Sequence, residues 1–521
     1  MNKIDRRKFL ETNAAAAVLA ASTPGSLLAA RRRKKIGDVY QMGSRRELFL
    51  DEFLVERTQG RVVFQLHHPV PREQVIHHDE PWEGTSSGYH TVLKDGGLYR
   101  MYYRGNNFDL VDNALRTTNP EVTCYAESED GIHWEKPNLG LYAHQGSKEN
   151  NIIWTGPGRH NFSVFLDQRP GCPDDERLKA FGGLKETSDG MVLFHSADGV
   201  RWKKTHAEAV ITNGAFDSTN LGFWDPVLEK YRAYWRYFTA GVTTAEEWSP
   251  AGIRAIRTAV SDDLLHWTDE QDLTYTDSPD EEMYTNNVMP YFRAPHILLG
   301  FPMRYVERGW SPSMKALPEL EKRELRAAAH LRFGTALTET QMMASRDGVQ
   351  FKRWNEAFLR PGIQRPDSWY YGHHEVAWNM VTTKSALPGA PDEISFYAGA
   401  GKWHGPGSKL IRHTLRQDGF VSANSPLAGG ELVTRPLAFK GSRLDLNFST
   451  SAAGTIKVGF LDAAGKPIEG FSLEDADETF GDELDRTVTW QGTSDVSRLA
   501  GKTVRLQITI QDGDLYALKF T

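Results

Sequence analysis

Ser128-Glu129-Asp130-Gly131-Ile132-His133-Trp134 is a phrase that the chain repeats. It returns as Ser196-Ala197-Asp198-Gly199-Val200-Arg201-Trp202. It returns again as Ser261-Asp262-Asp263-Leu264-Leu265-His266-Trp267, with the Gly lost, and as Ser345-Arg346-Asp347-Gly348-Val349-Gln350-Phe351, with Phe for Trp. Arg416-Gln417-Asp418-Gly419-Phe420 is a worn fifth copy. The Asp-to-Asp intervals are 68, 65, 84 and 71 residues. Asp-Gly after an apolar strand is turn chemistry: Asp binds nearby amides and Gly accepts positive φ. A ring three residues after the Gly can fold back between neighbouring modules. A repeat of this length with one aromatic per copy predicts a β-propeller.

The strands between the phrases support five modules. Inner strands are expected at Ser87–Leu93, Phe162–Leu166, Asn220–Trp224, Asn287–Phe292 and Val376–Thr382. Their partners are expected at Leu98–Arg104, Arg177–Lys185, Tyr231–Arg236, Ile297–Arg304 and Glu393–Lys402. Leu48-Phe49-Leu50 and Val62-Val63-Phe64 read as further strands that would close the ring as an outer strand of the last blade. Residues 424–521 alternate strongly, as in Leu444-Asp445-Leu446-Asn447-Phe448, and read as an antiparallel sandwich. The expectation is all-β: a five-bladed propeller at 46–420 and an accessory β-sandwich at 421–521.

The ends of the chain bear on location. Asp5-Arg6-Arg7-Lys8-Phe9-Leu10 followed by the Ala-rich run Ala14–Ala21 resembles a twin-arginine export signal, with 1–30 the leader and 31–45 a linker. The apolar run is too short to span a bilayer securely. A bacterial periplasmic or surface protein is expected. The net charge is −7, and removing the leader's surplus of two positive charges leaves about −9. That disfavours nucleic acid as a partner. Fourteen Trp residues suit a carbohydrate partner. Cys124 and Cys172 allow one disulfide in an oxidising compartment, but read better as two buried thiols.

The residues just before the inner strands would line a central funnel. They are Trp82-Glu83, Asn161, Asp217, the stretch Glu282-Met283-Tyr284-Thr285-Asn286, and His373-His374-Glu375. Glu83, Asp217 and Glu375 come from three modules, with Glu282 a fourth and Asp367 a substitute for Glu375. Glycosidic hydrolysis needs one protonated and one ionised carboxyl group across a pocket, and a third can tune them. The partner strands each end in a cation: Arg104, Lys185, Arg236, Arg304 and Lys402. That predicts a positive ring, able to hold carboxylates ionised or to bind an acidic substrate. Gly105 to Glu121, Tyr237 to Gly252 and Tyr305 to Thr338 are long connections gathered on the same face, the last with a helical piece at Leu317–Leu331. No nucleophile elbow or phosphate loop is present. No cofactor is expected; a divalent cation in the funnel stays open, with His374 and Asp217 as its ligands.

The phrases, Pro81-Trp82-Glu83-Gly84, and Asp217 with Phe223-Trp224-Asp225-Pro226 resemble the five-bladed propeller glycosidases of families 32, 43, 68 and 117. The resemblance implies an exo-acting glycoside hydrolase of plant or algal carbohydrate. It implies Glu83 as base or nucleophile, Asp217 as the group that tunes acidity and Glu375 as acid. The sequence lacks the Asn-Asp-Pro-Asn-Gly and Arg-Asp-Pro stretches of family 32. The phrase also resembles the Asp-boxes of sialidases, whose arginine triad Arg104, Arg236 and Arg304 would mimic; that implies a sialidase-like or uronate-acting hydrolase. A non-catalytic glycan-binding propeller is the third reading.

Overall fold

A computed structural model of the chain describes residues 38–111, 114–184, 190–244, 246–403 and 407–521. The leader at 1–30 and residues 31–37 lie outside them. Val39–Thr521 is one unit, and it is built almost entirely of strands.

Five antiparallel sheets follow one another. The first runs Gly88–Asp95, Leu98–Gly105, Val122–Ser128, Ile152–Trp154. The second runs Phe162–Leu166, Leu178–Leu184, Gly190–Ser196, Lys203–Lys204. The third runs Leu221–Asp225, Lys230–Thr243, Trp248–Ser261, Trp267–Asp272. The fourth is built on Met289–Tyr291, Ala294–Gly300, Ala336–Ser345 and Gln350–Leu359. The fifth runs Val381–Thr383, Glu393–Ala400, Lys409–Leu415, and its outer strand is Val70–His77, from before the first sheet.

The repeated phrase explains how the sheets meet. In each intact copy the Asp carboxylate accepts two backbone amides, as Asp130 does from Ile132 at 2.7 Å and His133 at 2.8 Å. The Ser hydroxyl accepts a third, from Gly131 at 2.9 Å. Glycine φ values of 74°, 79° and 79° at Gly131, Gly199 and Gly348 show why Gly recurs; Leu264 takes the same conformation at 68°. The turn then packs on the preceding sheet. Tyr397 of the fifth sheet contacts Trp134 and donates to Gly131 O. Tyr102 of the first sheet meets Trp202, and Phe181 of the second meets Trp267. Tyr234 of the third meets Phe351 and donates to Gly348 O at 2.8 Å. Tyr291 of the fourth meets Phe420 and donates to Asp418 at 2.7 Å.

The inner edges are stapled too. Asn161 donates to Phe216 O at 2.6 Å, Asn286 to Thr219 O at 3.0 Å and Asn287 to Val376 O at 2.6 Å. The backbone of Trp378 exchanges hydrogen bonds with His90 and Val92. Buried amide side chains satisfy strand-end carbonyls that no ladder reaches.

The strands at Arg46–Leu48, Val55–Gly60 and Val63–Leu66 do not close the ring as expected. They pair with Arg505–Phe520, Gly430–Thr434 and Val421–Ser425 in an eight-stranded C-terminal sheet. Tyr40–Gly43, read as linker, is a strand parallel to Leu437–Phe439. These N-terminal strands cover apolar positions such as Leu446, Phe460 and Ile508, so burial places them there. Asp418 joins the two parts. Fully buried, it accepts from Tyr291, from Arg46 at 3.0 Å and from Asn447 at 2.9 Å. Both cysteines are free thiols, Cys124 buried and Cys172 part-exposed. No helix among the described residues is long and apolar enough to cross a membrane.

Two outcomes are expected. Asp418→Ala removes the buried carboxylate shared by Tyr291, Arg46 and Asn447, leaving Arg46 only the exposed Asp485, and should lower unfolding free energy by about 3 kcal/mol in denaturant titration. Gly199→Ala should destabilise more than Gly96→Ala. Both force about 1–2 kcal/mol of left-handed strain, but only the Gly199 Cβ would meet another group, Tyr102 Oη at 2.7 Å.

Candidate functional site

A cavity of 390 Å³ opens among the ends of the second strands and the long connections. Its deep residues are buried: Tyr89, Arg104, His160, Arg236, Arg254, Tyr284 and Tyr371. Its upper wall comes from Phe108 after the first sheet's second strand, from Phe238, Trp248, Pro250, Ala251 and Gly252 on the protruding hairpin of Lys230–Thr243 and Trp248–Ser261, from Arg332 and Phe333, and from Trp403. Trp248 is 45% exposed, which marks the mouth. The helical stretch of Leu320–Ala329 and Leu331–Thr335 carries Arg332 and Phe333 to this wall.

Five cationic side chains line the cavity: Arg104, Arg236, Arg254, Arg332 and Lys402. Asp217 is its one carboxylate among the described residues. The other compensating carboxylates stand outside the lining. Glu282 accepts from Arg254 at 2.7 Å, Glu121 lies 3.8 Å from Arg104, and Glu375 lies 3.8 Å from Lys402. Asp217 is ion-paired to Arg236. Burial lowers the Arg236 guanidinium from its ordinary basicity, yet it stays a cation because an arginine starts so far above neutrality.

Under the cations lie three phenols. Arg104 sits 4.7 Å over the Tyr89 ring, Arg236 5.2 Å over Tyr284 and Lys402 5.3 Å over Tyr371. Tyr89 donates to the Asp217 carbonyl at 2.9 Å, so its oxygen is left to take the hydrogen of Tyr284, 3.0 Å away. The Tyr371 ring meets that of Tyr284 edge-on, with centroids 6.2 Å apart. Burial raises all three phenols above their ordinary value, so they rest protonated. Tyr89 has φ 53°, a strained conformation for an aromatic residue, and the Glu375 carboxylate holds it there by accepting its N–H at 2.6 Å. Beside Tyr89, His160 places Nδ1 3.0 Å from Glu121. A carboxylate only accepts, so Nδ1 carries the proton and Nε2 is the acceptor.

Of the residues singled out in the sequence, Arg104, Asp217, Arg236 and Lys402 come together here. Glu375 lies behind Lys402 and lines a narrow adjoining recess with His90. Glu83 does not reach the cavity. It is 1% exposed and is held by Lys136 at 2.6 Å and Tyr103 at 2.5 Å. Burial outweighs these partners and raises its carboxyl above the ordinary range. Asn161 is one of the inner-edge staples. Trp82 donates to Asn151 at 2.7 Å, away from the lining.

His374 is buried against Leu359 O and His413, and burial depresses it to about 3. It does not line the cavity with Asp217, and among the described residues no group of three or more His, Cys, Asp or Glu is placed to hold a metal. Arg304 turns to Glu339 and to Glu281 at 2.9 Å. Its strand breaks at Phe301-Pro302, where the proline has no amide to donate, and the alternation restarts with Met303 and Tyr305 inward. Lys185 lies outside the described residues. Tyr284, from the candidate stretch 282–286, does line the cavity; the sequence alone does not single out Tyr89, His160, Arg254 or Tyr371. Tyr284 stands close to Glu282 in the stretch before an inner strand; Arg254 sits on a third strand, where the expected pattern has no place for it.

The sequence matches no family profile. Uncharacterized protein Rv1502 and uncharacterized protein MT1551 of Mycobacterium tuberculosis are each 45% identical over 51 residues, 10% of this chain and 16% of theirs. Similar solved structures include a glycoside hydrolase with 11% identity, TM-score 0.41, and coverage of 67% of this chain and 92% of that one. A glycosyl hydrolase from Bacteroides ovatus has 14% identity, TM-score 0.40, and coverage of 72% and 94%. A third, from a study of GH130 enzymes that target β-1,2 mannosidic linkages in Candida mannan, has 14% identity, TM-score 0.40, and coverage of 69% and 96%. These neighbours are glycoside hydrolases; likeness this distant carries no argument about this chain.

Glu83 generates a pH prediction. A carboxyl raised in the fold stabilises fully below its unfolded value, about 4.3, and less as pH rises through the folded value. Glu83→Gln has no such group, so the stability of the variant relative to the parent should climb as pH rises above about 4. Denaturant midpoints from acid to neutral pH measure this.

Proposed function

We propose that the chain is a five-bladed β-propeller with a C-terminal β-sandwich, acting as a glycosidase-like enzyme on the ends of acidic carbohydrates outside the cytoplasm. The circuit of phrase-to-sheet contacts supports the propeller, since each of the five sheets packs on the next and the fifth packs on the first. The Arg6-Arg7 leader supports export. The observation that carries the function is the lining of five cations and one carboxylate. Four of the cations have protein carboxylates as partners, three of them outside the lining, so the wall that faces a ligand is positive. A sugar carboxylate or sulfate gains charge-assisted bonds there that a neutral sugar does not.

The cavity volume lies at the small end of the ~300–1,000 Å³ typical of ligand sites. It suits the end of a chain more than its middle. Phe238, Trp248, Phe333 and Trp403 give the next sugar apolar ring faces to lie on. The trio Glu83, Asp217 and Glu375 does not serve as three funnel carboxylates in this reading, because Glu83 is sealed behind Lys136. A binding role without turnover is the competing class.

The test is a panel of oligosaccharides ending in a uronate, and the same compounds with the carboxyl group reduced to an alcohol. Turnover of the acidic members, with affinity at least about 10-fold weaker for the reduced ones, is expected, since one charge-assisted bond is worth roughly 1.5–3 kcal/mol. Equal turnover of both sets would remove the acidic-substrate reading. Measurable affinity without turnover would make the chain a binding protein.

A further inference from the structure

We infer that this cavity breaks its glycosidic bond by β-elimination on a uronate rather than by hydrolysis, with His160 as base and Tyr371 as acid. The inference rests on the acidic-sugar reading above and names the reaction of that same site.

Hydrolysis asks for two carboxyl groups facing the bond, one to protonate the leaving oxygen and one to activate water or attack the anomeric carbon. The cavity lining offers Asp217 alone, and Arg236 already binds it. Elimination asks for other things, and each is present. The hydrogen on C5 of a uronate leaves as a proton only when the neighbouring carboxylate is neutralised, so that charge can move onto it. Arg104, Arg236 and Arg254 are buried, fixed cations, each held by one protein carboxylate and each with further N–H groups to share with the uronate carboxylate. A base must take the proton. His160 is held by Glu121, and Arg104 Nη1 lies 3.2 Å from its Nδ1 and 3.3 Å from its Nε2, so Nε2 becomes the base when Arg104 turns to the uronate carboxylate. An acid must return a proton to the departing oxygen. Three phenols run from Tyr371, edge-on against Tyr284, to the hydrogen-bonded pair Tyr284–Tyr89, which ends on the Asp217 carbonyl. Tyr371 begins the run, so its hydrogen can turn to a substrate oxygen without breaking the other bonds.

The step balances without water. Nε2 of His160 takes the C5 proton. The electron pair of that bond forms the C4–C5 double bond, and the bond from C4 to the glycosidic oxygen breaks. Tyr371 gives its proton to that oxygen, and the proton on His160 returns to the phenolate through solvent. The products are a 4,5-unsaturated uronate and a sugar with a free anomeric hydroxyl. A uronate seated in the cavity is joined to the rest of its chain through the leaving oxygen, so the unit released is the unsaturated one. Glu375 is a positioning residue here: it fixes the strained Tyr89 and through it the phenol run.

The full-length protein should be incubated with 4-linked uronate oligosaccharides in water enriched in heavy oxygen. The expected products absorb in the ultraviolet, carry the unsaturated ring and contain no heavy oxygen from solvent at the moment of cleavage. A substrate deuterated at C5 should react several-fold more slowly. His160→Gln should lose turnover at least about 100-fold while retaining affinity for the acidic sugar, in the range for removing a general base. Tyr371→Phe gives the parallel result for the acid. Cleavage with heavy oxygen incorporated and no unsaturated product overturns elimination and leaves the acidic-substrate reading standing. Failure to cleave any acidic member overturns both. Full activity in both variants overturns the assignment of base and acid.

Discussion

The structure depends on one contact made five times: a turn at the end of a third strand that rests on the middle of the preceding sheet. The turn is closed in four copies by an Asp carboxylate on two amides and in the fifth by Asp418 on the side chains of Tyr291, Arg46 and Asn447. A four-stranded sheet has two faces to bury and cannot bury both by itself. The ring in the turn, Trp134, Trp202, Trp267, Phe351 or Phe420, covers the neighbour's face. The contact from the fifth sheet to the first makes the circuit continuous. The outer strand Val70–His77 on the fifth sheet then ties the start of the circuit to its end, so no edge is left to fray there.

The same stacking explains the electrostatics of the cavity. Second strands end at one face, and their terminal cations are pressed together with carboxylates that sit one layer further out. Glu121, Glu282 and Glu375 keep the guanidinium groups and the ammonium affordable in a buried place without occupying the space in front of them. What remains in front is a concave positive surface with phenols beneath it and aromatic rings around it. Such a surface is preorganised for an anion before the ligand arrives.

Particular residues show how far the sequence could be read. Most inner and second strands lie within a few residues of their expected places, because period-two alternation and Asp-Gly turns are local signals. The stretch from Tyr237 to Gly252, expected as a long connection, is instead mostly a continuation of two paired strands, Lys230–Thr243 and Trp248–Ser261. It reaches the cavity's upper wall together with residues of the connections after Gly105 and Tyr305. The ring of strand-end cations was visible as a repeat, but Arg304 leaves it because Pro302 resets the alternation. Asn161 and Asn286 looked like polar groups for a ligand and are staples between sheets. Glu83 looked like a funnel carboxylate and is neutralised by a lysine 53 residues away.

What the sequence by itself determined is the all-β class, the repeat and its turn, and which segments come near one face. These follow from short-range rules: alternation, left-handed glycine, and an Asp that caps its own turn. Only the tertiary structure decided that residues 40–66 belong with the C-terminal sheet, that Asp418 joins the two parts, and that Tyr89, His160, Arg254 and Tyr371 share a cavity with Arg236. These depend on pairings hundreds of residues apart, chosen by burial of whole faces, and no local pattern records which distant face a strand will cover.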